Sequence, residues 1–269
     1  FFFSKVGLLD GTAELRGSIP FNRFYGTFLK VLRPNMLKEV DGKTYFSASD
    51  RLIQFAASGL AGVWAEENTR EAIYDALKRK ETFATSGPRM KVRFFAGYDL
   101  ENSKLDDLSL IQDAYRSSIP MGGTLNISAN KNPTFLVWAI ADPVGAPLQR
   151  TQIIKGWLED GEHKEKVFDI ACSDGLSVDP ETYRCPDNKA WVDLSNCSIS
   201  ADSGAREMKV FWQDPEFKKD QGAFYYSRVL ENPVCRWSTW DSVRNGQKPR
   251  SDIPATIQER VWSSPIWFK

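Results

Sequence analysis

From residue 90 to the carboxy-terminal end, short apolar runs recur at the spacing of β-strands. In MKVRFFAGY, Met90, Val92 and Phe94 alternate with Lys91 and Arg93, the two-residue period of a half-buried strand. TLNIS, TFLVWAIA, RTQIIKGWL, KVFDIAC, AWVDLS, EMKVFWQ and AFYYSRVLE follow, separated by Gly, Pro, Asn and Asp turns. Seven such runs over about 140 residues predict an antiparallel β-sandwich. No long helix is expected here, although LDDLSLIQDAYRSSIPMGG is a longer connection with room for a helical turn.

Upstream of residue 90 the period is different. LAGVWA is a brief buried run, and a helix is predicted over about 69–80, with Ile73, Ala76 and Leu77 on its apolar face. Asn68 is placed to cap it and Glu71 to complete a capping box, with acids early and bases late, as the helix dipole favours. Closer to the amino terminus, KVGLLDG reads as a strand and turn, and FNRFYGTFLKVL is ambiguous. VDGKTYF carries an Asp-Gly hairpin signal, and ASDRLIQFAASG reads as a short helix ending at Gly59. The change of period sets an expected division into 1–89 and 90–269.

Charge and composition narrow the partners. Thirty-five basic residues balance thirty-five acidic ones, so no global field draws the chain to nucleic acid, and 42% hydrophobic content can fill a core. No apolar run approaches the roughly 20 residues of a membrane span. The opening FFFSKVGLLDG has no basic or apolar leader pattern and reads as an interior position of a longer gene product.

Reactive residue types are scarce. The single histidine, His163, lies in the polar turn EDGEHKEK, so a histidine-rich metal centre or a Ser-His-Asp triad has too few imidazoles. Neither a GxSxG string nor a phosphate-cradling glycine motif is present. Cys172, Cys185, Cys197 and Cys235 show no C-x-x-C pair, and two disulfides in an oxidising compartment are favoured over four buried thiols. Of three possible pairings, Cys172 with Cys185 and Cys197 with Cys235 is preferred: the first brackets a turn-rich loop and the second joins two apparent strands. That loop, CSDGLSVDPETYRCPDN, carries Asp174, Asp179, Glu181 and Asp187, but not the alternating order of a specific calcium loop. Trp237, Trp240, Trp262 and Trp267 could form a sugar platform, yet large rings more often fill a core.

Several long strings carry a family resemblance: SGLAGVWAEENTREAIYDALKRKETFATSGPRMKVRFFAGYD, LQRTQIIKGW, the loop ending CPDN, YYSRVLENPVCRWSTWD and PATIQERVWSSPIW. In this order they closely resemble the carboxy-terminal part of the bacterial family called domain of unknown function 3604. The resemblance implies kinship with the polymerase-and-histidinol-phosphatase (PHP) hydrolases, whose distorted β/α barrel holds divalent metals on His, Asp and Glu. The implied fold class is therefore α+β: closing elements of a PHP-like barrel over 1–89, then the sandwich over 90–269.

The same resemblance implies that the metal ligands lie upstream. Aligning Asp10 with a family ligand would put Thr12 where a His belongs, so Asp10 reads better as a turn residue. Glu66, Glu67 and Arg70 would stand where a barrel strand hands over to a helix, placed to touch substrate or to hold the metal's ligands in position; their alternative role is to favour the helix start. The expected activity is that of a carboxy-terminal fragment of a metal-dependent hydrolase of phosphoesters or carboxylic esters, using zinc or manganese in the parent protein and no cofactor held by this chain. Its partners would be the upstream polypeptide and a small-molecule substrate, without nucleic acid, in the periplasm or outside the cell. The competing reading is a non-catalytic ligand-binding or structural sandwich.

Overall fold

The computed structural model describes residues 2–6, 37–46, 59–100 and 104–269. Its elements in chain order are β1 (Phe2–Val6), β2 (Leu37–Val40), β3 (Lys43–Phe46), β4 (Gly59–Val63), α1 (Arg70–Lys78), β5 (Thr82–Thr85), β6 (Lys91–Gly97), α2 (Leu110–Ser117), β7 (Ile119–Pro120) and β8 (Thr124–Leu125). They continue with β9 (Thr134–Ile140), β10 (Leu148–Glu159), β11 (Glu162–Cys172), β12 (Glu207–Gln213), β13 (Ala223–Glu231), β14 (Val234–Cys235), α3 (Trp237–Arg244), β15 (Thr256–Ile257), β16 (Arg260–Ser263) and β17 (Ile266–Phe268). Mostly antiparallel sheets with few helices make this an α+β chain weighted towards β, and no closed barrel forms among the described residues.

The larger sheet runs β1-β4-β5-β16-β13-β10-β11, with β17 beside β13 and β8 beside β17. Facing it is a four-stranded sheet, β12-β9-β6-β7. Between them lies one apolar core in which Phe135, fully buried, meets Phe94, Trp212, Tyr225 and Phe268 at ring-centroid distances of 4.7–5.8 Å. Each such ring contributes on the order of 2–3 kcal/mol through apolar area removed from water. One buried ion pair interrupts this layer: Lys155 Nζ meets Asp214 Oδ2 at 2.7 Å, and the Tyr225 hydroxyl donates to the same oxygen. Burial and the Asp214 charge push the Tyr225 phenol far above its ordinary range, so it stays a donor.

Met90, Val92 and Phe94 point into this core, as the alternation predicts. Phe95 is buried as well, because α2 covers the outer face of the small sheet and packs Leu110 and Ala114 against Phe95 and Leu136. The Asp-Gly hairpin is also present. Asp41 and Gly42 take φ of 51° and 73° between β2 and β3, the pair of positive values that a tight hairpin turn requires.

Other expectations change. The helix at 69–80 is α1, Arg70–Lys78, and its N-cap is Thr69, whose Oγ1 accepts from the Ala72 N–H at 3.3 Å; Asn68 lies one residue outside. It is capped at Arg79, after which Lys80 takes a positive φ of 60° while Glu81 N–H reaches back to Ala76 O. AWVDLS forms no strand, only the bridge Val192 to Ile199, because Asp193 accepts from the Ser195 N–H and the Asn196 amide and folds the segment into a turn. TLNIS shrinks to the two-residue β8. The helix α3 was not expected: its buried positions are Ser238 and Thr239, so it has no apolar stripe to read. FNRFYGTFLKVL, Asp10 and the helix expected before Gly59 lie outside the described residues.

The sheet itself continues across residue 90. β4 and β5 pair antiparallel around α1, and β5 then pairs with β16 through Thr85↔Val261 and Phe83↔Ser263. A parallel β/α barrel unit would instead place its strands side by side in the same direction.

Candidate functional site

The residues that converge on a concavity come from the start of β10, the loop after β11, and the segment joining β15 to β16. Gln149 and Arg150 form one wall, Pro186 and Asp187 the second, and Gln258 and Arg260 the third, around a cleft of about 680 Å³.

Both disulfides frame it. Cys172–Cys185 ties the end of β11 to the loop that supplies Pro186 and Asp187, with Cys185 itself lining the cleft. Cys197–Cys235 anchors β14, whose partner β15 supplies Thr256 and Ile257 to the opposite side. The pairing inferred from the loop and strand pattern is the one present, and no cysteine is free among the described residues.

Beneath the cleft a buried carboxylate sets the geometry. Asp169, 1% exposed, accepts from Gln152 Nε2 at 2.6 Å and from the Cys185 N–H at 2.7 Å; the guanidinium groups of Arg150 and Arg184 lie 3.8 and 3.5 Å away. Gln152 in turn accepts from Arg228 Nε at 2.6 Å. A charged acceptor surrounded by four donors is fully compensated, so Asp169 acts as an anchor and is not a reactive group.

The walls are cross-tied by amides. Gln258 Nε2 donates to Gln149 Oε1 at 2.9 Å, and Gln149 Nε2 donates to Asn188 Oδ1 at 2.9 Å. Arg260 donates through Nε and Nη2 to Gln258 O. Burial, and then the charge of neighbouring Arg228, hold the Arg260 guanidinium below its ordinary range. The Arg150 Nε–H is buried with no partner. Two guanidinium groups and an unused donor at one cleft make it suited to an oxyanion, because arginine forks match carboxylate and phosphate oxygens.

The residues singled out from the sequence lie elsewhere. Glu66 and Glu67 are exposed in the turn leading into α1 and Arg70 is exposed at its first residue, and none lines the cleft. His163 is exposed at the start of β11, opposite Leu158. Among the loop acids, Asp174 accepts from Ser173, Asn188 and the Gly204 N–H, Asp179 from the Glu181 and Thr182 N–H groups, and Asp187 from the Lys189 N–H. These local bonds shape the loop and leave Asp174 and Asp179 below the usual carboxylate range, without gathering the acids around one point. Trp237 and Trp240 sit on α3, Trp262 on β16 and Trp267 on β17, so the late tryptophans do not form one platform. Among the described residues no group of three or more His, Cys, Asp or Glu side chains is placed to hold a metal ion.

Arg150, Gln149, Gln258 and Arg260 had no signal in the sequence beyond falling in strings with a family resemblance. Comparison with known proteins carries that resemblance further. Residues 14–269 match the model of a family described as a protein of unknown function, DUF3604. The chain belongs to this family. No curated protein and no solved structure matches this DUF3604 chain.

Proposed function

We propose that this DUF3604 chain is the ligand-recognising part of its polypeptide and holds the anionic group of a small molecule between Arg150 and Arg260. One observation carries the reading: the Arg150 Nε–H is buried without an acceptor at the edge of a cleft that already holds a second guanidinium. An unmet donor of this kind costs about 1–3 kcal/mol, which a bound oxyanion returns. Two disulfides hold the walls in register, in agreement with a periplasmic or secreted setting. No helix among the described residues is long and apolar enough to cross a membrane.

The hydrolase reading extends this one to the longer protein. There the bound anion would be the acidic part of a phosphoester or carboxylic ester substrate, and zinc or manganese on upstream PHP-like ligands would supply the activation of water. Sequence resemblance is its support. Glu66, Glu67 and Arg70, exposed beside α1, are then available to face that upstream part.

Calorimetric titration of the chain with inorganic phosphate, sulfate and acetate tests the recognition step. Saturable binding of at least one anion is expected, weakened roughly tenfold or more, about 1.4 kcal/mol, in Arg150→Met and in Arg260→Met. Failure of all three anions to bind at tens of millimolar rejects the proposal.

A further inference from the structure

The cleft opens onto one face of the larger sheet. Along β13, Tyr225 and Val229 point into the core between the sheets, so Phe224, Tyr226, Arg228 and Leu230 stand on the opposite, outer face. Strand pairing extends that face sideways: Leu230 lies between Arg150 and Arg260, Arg228 between Gln152 and Trp262, and Phe224 between Gly156 and Trp267. Arg150 and Arg260 are the guanidinium residues of the cleft, and the run of strand from Leu230 to Phe224 joins them to a group of aromatic rings about 20 Å away.

These rings lie down on the sheet. A Cβ at Gly156 would stand 2.3 Å from the Phe224 ring, so the ring rests over that strand and turns its other face away from it. The Tyr226 ring is inclined to it by only 14° at a centroid distance of 6.5 Å, and Ile154, opposite Tyr226, is fully buried, in keeping with a ring lying over it. Trp267 adds a third ring 5.1 Å from Phe224 and is 42% exposed.

Charge is distributed unevenly along this strip. Arg150, Arg260 and Arg228 gather at the cleft end, whereas at the aromatic end the exposed Glu165 pairs with Gly156 and its negative charge acts on Tyr226. A chain with a phosphate on every unit would meet that acid unfavourably; a ligand with an acid group at one end and neutral rings along the rest matches both ends. Sugars have this chemistry, because the C–H faces of a pyranose pack on the negative faces of aromatic rings while its hydroxyls stay in water.

We propose that the cleft and the strip together bind one short oligosaccharide, with an acidic sugar at Arg150 and Arg260 and neutral sugar rings stacked on Tyr226, Phe224 and Trp267. The inference rests on the anion-recognition reading above and names the substrate class of that same site.

The experiment is calorimetric titration with three acidic oligosaccharides, aldotetraouronic acid, sialyllactose and a hyaluronan tetrasaccharide, each compared with glucuronic acid alone and with inorganic phosphate. At least one oligosaccharide is expected to bind roughly tenfold or more tightly than glucuronic acid. Trp267→Ala and Phe224→Ala should each remove that gain and leave phosphate affinity unchanged, while Arg150→Met should weaken both. Gly156→Ala, which deletes no ring but displaces that of Phe224, should act in the same way and serves if an aromatic variant does not fold. Phosphate binding with no oligosaccharide tighter than glucuronic acid would overturn this inference and leave the anion cleft standing, whereas failure of every anion to bind would overturn both. Undiminished oligosaccharide affinity in the folded ring variants, or a thymidine tetranucleotide bound as tightly as the best oligosaccharide, would also overturn it.

Discussion

The buried carboxylate of Asp169 accepts the main-chain N–H of Cys185 at 2.7 Å, so a charge near the end of β11 fixes the loop that walls the cleft. Through its second oxygen it holds Gln152, and it lies within 4 Å of the guanidinium groups of Arg150 and Arg184.

Replacing that anchor should therefore damage stability and recognition together. Asp169→Asn keeps the shape but removes the charge that four donors face, and it is expected to cost about 3–5 kcal/mol, the range for breaking a buried charge pair. Urea unfolding measures this, and phosphate binding should fall in the fraction that remains folded.

Reduction should act on the cleft before the core. The loops closed by Cys172–Cys185 and Cys197–Cys235 span 13 and 38 residues, for which chain-entropy estimates give about 3 and 4 kcal/mol. Cys172→Ala with Cys185→Ala is expected to lower the urea midpoint and abolish anion binding while the far-ultraviolet spectrum stays β-rich. Retained anion affinity in that variant would show that the loop is not a working wall.

Glu231 makes stability depend on pH. Burial, then the negative charges of Glu259 and Asp142, push its carboxyl up to about 8 from an ordinary 4.5. Between those values the folded chain holds a proton that the unfolded chain has released, so this contribution is full below about pH 4.5 and is lost as pH rises through about 8. Glu259 is raised in the same direction, chiefly by burial. Thermal unfolding should show stability falling from pH 5 to 9 by on the order of a few kcal/mol, with a flatter profile in Glu231→Gln.

Core substitution gives the simplest check on the sandwich. Phe135, fully buried and touching four rings, should lose about 3–5 kcal/mol on change to Ala. Leu108, fully exposed, should change by less than about 0.5 kcal/mol on change to Ser, both read from urea midpoints.

Local chemistry was sufficient for part of this chain. The alternation in β6, the Asp-Gly turn between β2 and β3, the cysteine partners and the helix near residue 70 are each determined within a few tens of residues, where period, turn preference and loop closure act. Competing local bonds misled at Asp193, whose side chain folds AWVDLS into a turn, and a polar buried face hid α3.

What the sequence by itself determined is an antiparallel, disulfide-linked chain whose one histidine cannot furnish an imidazole-rich metal centre. Only the tertiary structure decided that Arg150 meets Arg260 across a cleft and that Glu231 stands beside Glu259. These pairs join residues separated by 28 to 110 positions, and side-chain periodicity carries no information about which strands become neighbours in a sheet. That choice is made by the shared burial of Phe135, Tyr225 and Phe268 between the two sheets, and the polar residues at their edges are brought together as its consequence.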